Sequence, residues 1–288
     1  MPDISVIIPT FNRKSLLERA IRSVLAQKKA SFEILVADDG STDRTTEFLR
    51  QEFSAIRVLS WRENRGPSYA RNRAAKAAAG RWLAFLDSDD EWLPAKLAAQ
   101  LDFFKSRPDY RICQTEEIWI RNGIRVNPMK KHQKFGGNIF EKCLPLCVIS
   151  PSAVMLEKTL FEETGGFDES LPACEDYDLW LRIAAQYPVG LIAKPHVVKY
   201  GGHADQRSRE FQAMDRFRIY ALKKILGSGV LNETQTQAAA KMLAEKETIF
   251  AAGAVKYGNS VILSHAAGKA KNLGDPSCLA GRWARRSG

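Results

Sequence analysis

Trp82-Leu83-Ala84-Phe85-Leu86-Asp87-Ser88-Asp89-Asp90 is an apolar run that ends in three carboxylates. A short, continuously apolar run of this kind is expected to be a strand covered on both faces. Side chains alternate along an extended segment, so Asp87 and Asp89 are expected to face one site while Asp90 faces away. Two like charges held together call for a cation. Mg²⁺ or Mn²⁺ suits them, because these ions share one or two carboxylates with substrate phosphates. A plainer account is an acidic turn before a helix beginning near Leu93: Asp90 and Glu91 favour its positive end, and Pro94 suits its first turn.

The upstream residues make this strand the fourth in an alternation. Ile4-Ser5-Val6-Ile7-Ile8 is a β-branched run ending at Pro9-Thr10-Phe11-Asn12. Leu16, Leu17, Ala20, Ile21, Val24 and Leu25 then recur at helical spacing, with Asn12 as the expected cap. A second run, Phe32 to Ala37, stops at Asp38-Asp39-Gly40-Ser41-Thr42 and is followed by a helix carrying Phe48, Leu49 and Phe53. Ile56 to Leu59 reads as a third strand, the alanine-rich stretch from Pro67 to Ala79 as a third helix, and Arg81 to Leu86 as the fourth strand. Such alternation predicts an α/β fold with a mostly parallel central sheet flanked by helices. Ligands of these sheets bind beyond the carboxyl ends of the strands, so Thr10, Asp39 and Asp89 should meet in one crevice. No glycine-rich dinucleotide fingerprint or Walker-type lysine loop occurs, which counts against an NAD enzyme and a P-loop ATPase.

Downstream of a helix near Lys96 to Lys105 the alternation weakens. Tyr110 to Ile120 is strand-like, and the polar, basic stretch from Arg121 to Gly137 is expected to be a mobile loop hinged at Gly136-Gly137. Cys147 to Leu156 is apolar again. Thr164-Gly165-Gly166-Phe167-Asp168 marks a turn before Cys174-Glu175-Asp176-Tyr177-Asp178-Leu179-Trp180-Leu181-Arg182, whose acidic start also suits a helix N-terminus. From Ser208 onward the pattern is helical. The expected division is an α/β domain carrying these polar loops over 1–205 and a helical C-terminal extension with a basic tail over 206–288.

With 288 residues, 45% of them hydrophobic, the chain can bury one large core. No apolar stretch reaches the roughly 18 to 20 residues of a membrane span. Met1-Pro2-Asp3 lacks a basic and apolar leader, so a soluble cytoplasmic protein is expected. The five cysteines show no Cys-x-x-Cys spacing, which argues against a disulfide framework and a structural zinc site. A formal charge of +10 suits an anionic partner: a nucleotide, nucleic acid or an acidic membrane surface. Arg282, Trp283, Arg285 and Arg286 are the candidate contacts for a membrane.

Five segments together resemble the inverting family 2 glycosyltransferases of the GT-A fold. They are Ser5-Val6-Ile7-Ile8-Pro9-Thr10-Phe11-Asn12, Val36-Ala37-Asp38-Asp39-Gly40-Ser41, Asn64-Arg65-Gly66-Pro67-Ser68-Tyr69-Ala70-Arg71-Asn72, Phe85-Leu86-Asp87-Ser88-Asp89-Asp90 and Glu175-Asp176-Tyr177-Asp178-Leu179-Trp180-Leu181-Arg182. The resemblance implies that Asp39 bonds the nucleotide base, with Thr10 beside the nucleoside and Asp38 as a neighbour. It implies that Asp87 and Asp89 serve the metal and the ribose-diphosphate, Asp89 being the direct ligand of Mg²⁺ or Mn²⁺. Arg71 matches a residue near the nucleotide, although pairing with Asp38 or Asp87 explains it equally well. Asp176 matches the catalytic base, with Glu175 and Asp178 as rival carboxylates. Some related transferases place a late histidine at the metal or diphosphate, which makes His203 a further candidate ligand.

Processive members carry a Gln-x-x-Arg-Trp sequence after the base and membrane helices. Neither occurs here, so transfer of one sugar is expected, from a nucleoside-diphosphate sugar (a UDP-sugar by default) to a glycan or lipid-linked acceptor in cell-surface polysaccharide or glycoconjugate synthesis. Nucleic acid is not the expected partner. The alternatives are a sugar-phosphate nucleotidyltransferase, which would carry a glycine-rich basic loop after the first strand, and a non-catalytic nucleotide-sugar-binding module, which would not need both Asp89 and Asp176.

Overall fold

The computed structural model describes residues 2–127, 129–202, 211 and 213–257. His203, Arg282, Trp283, Arg285 and Arg286 lie outside the described residues. The first strands and helices follow the expected alternation: β1 (Ile4–Thr10), α1 (Lys14–Leu25), β2 (Phe32–Asp38), α2 (Thr45–Glu52), β3 (Arg57–Ser60), α3 (Pro67–Ala77) and β4 (Trp82–Phe85). β1 pairs in parallel with both β2 and β4, and β2 with β3.

β1 shows why its run is apolar throughout. Ile4, Val6 and Ile8 join a buried cluster with Leu17, Ile21 and Val24 of α1, while Ile7 joins the opposite cluster with Ala70 and Ala74 of α3. Both faces are covered, so no polar alternation is possible. Thr10 lies opposite Asp38 in register, which brings the ends of β1 and β2 level beside the acidic loop leaving β4.

Beyond β4 the connections change. β5 (Glu91–Trp92), α4 (Lys96–Ser106), β6 (Ile112–Arg121), β7 (Ile124–Val126), α5 (Phe140–Cys143), β8 (Val154–Glu157), α6 (Lys158–Glu163), α7 (Glu175–Ala184) and β9 (Gly190–Gly201) follow. α8 (Asp215–Leu226) and α9 (Glu233–Tyr257) form the helical C-terminal part. The main path of the sheet runs β3-β2-β1-β4-β8-β6-β9-β5, with β7 on β6. β8 is antiparallel to both β4 and β6, whereas β6 and β9 are parallel. The result is a mixed, mostly parallel central sheet flanked by helices, as expected for a GT-A fold.

Three local expectations are corrected. Asn12 does not cap α1; it lies at φ +52°, and its Oδ1 accepts Thr42 N–H at 2.7 Å, tying the loops after β1 and β2 together. The helix expected from Leu93 starts at Lys96, because Glu91 and Trp92 pair with Val198 and Val197 of β9. Asp90 is therefore not a helix cap. Gly136-Gly137 is no free hinge: Gly137 exchanges two backbone hydrogen bonds with Val189, at 2.8 and 2.9 Å.

Among the described residues no helix is long and apolar enough to cross a membrane. Phe217, Leu222 and Ile225 of α8 are buried in the same core cluster as Trp180 of α7.

Candidate active site

One cavity of about 920 Å³ opens at the carboxyl ends of the parallel strands, within the size range of ligand pockets. Thr10, Asp39, Arg71, Asp87, Asp89 and Asp176 all border it. Asp38 does not. Its carboxylate accepts Ser41 N–H at 3.1 Å and the Thr46 hydroxyl at 2.6 Å, so it shapes the turn between β2 and α2 instead of facing a ligand.

The acidic loop is a turn, and this overrides the alternation expected for it. Asp90 N–H donates to Asp87 O at 3.0 Å, so Asp87, Asp89 and Asp90 present carboxylate oxygens within 4.8 Å of one another. Asp90 thus points into the group, a correction to the expectation that it faces away. Each carboxylate has its own cation. Arg71 Nη2 lies 2.7 Å from Asp87, Arg13 Nη1 3.0 Å from Asp89, and Lys199 Nζ 3.2 Å from Asp90. Burial would push the Asp87 carboxyl up, but Arg71, Lys199 and Arg13 outweigh it and hold the group below the usual carboxylate range. Asp90 is the opposite case. It is 1% exposed, and burial with repulsion from Asp89 and Asp87 pushes it up to about 7, against the pull of Lys199 and the Ser152 hydroxyl.

Asp39 sits just past β2, where its carboxylate gathers Trp61 Nε1–H at 2.5 Å, Arg65 N–H at 3.0 Å and Gly66 N–H at 2.6 Å. The side chain borders the cavity and also anchors the loop into α3. Gly40 is required beside it: φ is +82°, and a Cβ there would lie 3.0 Å from the Glu63 carbonyl carbon. Beside it Thr10, whose carbonyl accepts Asp39 N–H at 2.9 Å, is 4% exposed, and its Oγ1 has no hydrogen-bond partner among the described residues.

α7 supplies the carboxylate at the far wall. Asp176 is half-buried in its first turn, where Tyr177 N–H donates to its Oδ1 at 2.7 Å. Burial and then repulsion from Glu175 push Asp176 up to about 6, with the Tyr177 amide, Arg71 and Cys147 opposing. The rival carboxylates are committed elsewhere. Glu175 binds Arg71 Nη1 at 3.0 Å, and Asp178, 1% exposed, binds Arg182 at 2.7 Å and Lys224 at 3.1 Å. Arg71 is thus the buried link between the acidic loop and α7, and of its two expected partners the structure selects Asp87.

Sequence reasoning missed Arg13, Lys199 and Cys147, which all border the cavity. Arg13 directly follows the segment that ends β1 and could have been noticed there. Lys199 carries no such mark, because only the pairing of β5 with β9 brings it to the acidic loop.

The glycosyl transferase family 2 model matches residues 5–165, and a related family 2-like model matches 137–223. The chain belongs to glycosyl transferase family 2. An uncharacterized glycosyltransferase of Rickettsia conorii is 37% identical over 193 residues, 66% of this chain; the chain spans only about a third of that relative's length, 32%. The Escherichia coli UDP-Glc:alpha-D-GlcNAc-diphosphoundecaprenol beta-1,3-glucosyltransferase WfgD is 37% identical over 191 residues, covering 66% of this chain and 72% of WfgD. The crystal structure of Staphylococcus aureus TarS 1–349 superposes with a TM-score of 0.70 at 19% identity, over 92% of this chain and 79% of that 1–349 chain, which is a likeness of fold.

Proposed function

We propose that the protein moves one sugar from a nucleoside-diphosphate sugar to an acceptor hydroxyl, inverting the anomeric carbon and releasing the product after a single transfer. The observation that carries this reading is the shared cavity. Asp176 borders it together with Thr10, Asp39 and the acidic loop, so a base, a nucleoside site and a diphosphate site open onto one space. WfgD is named for a UDP-glucose donor, a lipid-diphosphate-linked acceptor and a β linkage, which supports a UDP-sugar and a lipid-linked glycan here. The setting proposed is cytoplasmic, at the inner face of a membrane, in the synthesis of a cell-surface polysaccharide.

The residues fit a hard divalent cation. Asp89 and Asp87 would hold Mg²⁺ or Mn²⁺, because the loop offers only carboxylate oxygens in a compact group. When bound, such an ion offsets the negative charge that develops on the departing diphosphate. Thr10 Oγ1, buried and without a partner among the described residues, is a hydrogen-bonding group that a nucleoside would satisfy at the ligand end of β1.

Asp176 takes the proton of the acceptor hydroxyl as that oxygen attacks the anomeric carbon from the face opposite the diphosphate. A hydroxyl is a weak nucleophile near neutral pH, and a carboxyl pushed up to about 6 is a stronger base than an ordinary one while still ionised at pH 7. Arg71 holds Glu175 aside and leaves Asp176 as the first-turn carboxylate that borders the cavity without an ion pair among the described residues.

The test is a panel of UDP- and GDP-sugars with Mn²⁺, read by nucleoside-diphosphate release and by proton NMR of the first-formed product. An α-linked donor should give a β linkage. A retained α linkage would remove Asp176 from the role of base, and failure to bind any nucleoside diphosphate would overturn the reading as a whole.

A further inference from the structure

From Ile118 to Phe140 the sequence contains no Asp or Glu and five basic residues, Arg121, Arg125, Lys130, Lys131 and Lys134. The fold gathers this stretch at the mouth of the cavity. β6 and β7 form a hairpin that turns at Asn122-Gly123, and a single 3₁₀ turn, Lys130–His132, follows. Its base is fastened down: buried Lys134 lies 3.3 Å from Glu117, and the His132 ring sits 5.1 Å from that of Trp119. Arg121, Met129, Lys131 and His132 border the cavity itself.

The outer surface of this stretch is unusual in two respects. Arg121, Arg125, Lys130 and Lys131 are all exposed, and among the described residues none of them makes an ion pair. Ile124 at the hairpin tip is 68% exposed and Met129 beside the 3₁₀ turn 59%. Two bare apolar side chains set among unpaired cations match the chemistry of a lipid interface, where apolar tips enter the headgroup boundary and basic groups meet phosphates. A soluble polyanion would reward the charges and leave Ile124 and Met129 in water.

We propose that the hairpin Ile112–Val126 tip and the Lys130–His132 turn form a docking surface for an anionic lipid bilayer, placing the mouth of the cavity against the membrane. The contact would present a lipid-linked acceptor headgroup to Asp176 without removing the acceptor from its bilayer. Its purpose rests on the transferase reading above, whereas the contact itself depends only on the charges and apolar tips of this stretch. A basic residue near an anionic surface strengthens partition roughly fivefold, so the four unpaired cations together are enough for a reversible attachment.

The experiment is sedimentation of the full chain with vesicles of mixed phosphatidylglycerol and phosphatidylcholine, and with phosphatidylcholine alone. The acidic vesicles should be favoured by at least about fiftyfold, falling as salt is raised. The triple variant Ile124→Glu, Arg125→Glu, Lys130→Glu should lose that preference, while calorimetric affinity for UDP with Mn²⁺ stays at the wild-type value and shows the fold intact. The charge-preserving pair Arg125→Lys, Lys130→Arg should keep the preference. Equal binding to both vesicles, a triple variant that sediments as the wild type does, or binding of soluble dextran sulfate without binding to vesicles would each overturn the proposal. Vesicle binding without binding of any nucleoside diphosphate would instead overturn the transferase reading and leave this surface standing.

Discussion

Asp176 and Asp89 border the same cavity but carry separable burdens, and their variants should fail differently. Asp176→Asn keeps the shape of the first turn of α7 and removes the proton acceptor. Turnover should fall by about 10² to 10⁴ with UDP affinity unchanged, since a general base contributes about that much. The wild-type pH profile supplies an independent readout. The base is active when deprotonated and burial has raised it to about 6, so kcat/KM should rise with pH through about 6 and level off above it. A flat profile between pH 5 and 7 would assign the proton to another group. Asp89→Asn should act on binding: it removes a ligand charge, so the Mn²⁺-dependent gain in UDP affinity should shrink by at least about tenfold in calorimetry. Equal UDP affinity with and without Mn²⁺ in the wild type would remove the metal role from this loop.

α3 and α7 are joined to the acidic loop through one side chain. Arg71, on the buried face of α3, reaches Asp87 with one nitrogen and Glu175 with the other, and it is 5% exposed. Burying Arg71 and Glu175 and half-burying Asp87 is costly, and the arrangement is stable because each charge is paired. Arg71→Met should therefore cost about 3 kcal/mol, because it leaves the buried Glu175 and the half-buried Asp87 without this partner, measured as a lowered urea midpoint at unchanged slope. The damage should be largest above the ordinary carboxylate range, where Asp87 is ionised, because Arg71 holds that carboxyl low and the pairing it provides is lost only as acid protonates Asp87. Raising the pH turns the lost pairing into repulsion, and acid relieves it. A variant as stable as the wild type would mean that water reaches this junction freely.

The chain as a whole has a core that continues into its C-terminal helices. Phe217, Leu222 and Ile225 of α8 share a cluster with Trp180 of α7, and Lys224 reaches both Asp168 and Asp178. We propose that the catalytic unit over 1–205 and the extension over 206–288 are nevertheless distinct in role, the first holding the donor site. Three fully buried apolar side chains contribute roughly 5 to 9 kcal/mol at about 1.5 to 3 each, comparable with the stability of an ordinary domain. A fragment ending at 205 should therefore be insoluble or lack a cooperative thermal transition by circular dichroism, even though every residue of the acidic loop is present. A soluble, cooperative fragment would show that α8 contributes little to the core.

The alternation from Ile4 to Leu86, the acidic loop and the acidic start of α7 were legible from the residues alone. Hydrophobic period and strand-end polarity are local properties, and they report which face is buried and where a strand stops. The resemblance carried by those segments reached the family, and Thr10, Asp39, Asp87, Asp89 and Asp176 do border one cavity. Period says nothing of partners, however. That β8 enters antiparallel between β4 and β6, that β5 pairs with β9 and so delivers Lys199 to Asp90, and that Arg71 chooses Asp87 and Glu175 are decided only in three dimensions. The alternation rule also failed within the loop itself, where a turn closed by Asp90 N–H replaced extended backbone and drew the third carboxylate inward. The physical reason is common to all of these. Opposite charges distant in the chain meet only where the order of strands in the sheet brings them together, and their burial, which sets the affinity of Asp176 for its proton, exists only once the core has closed around them.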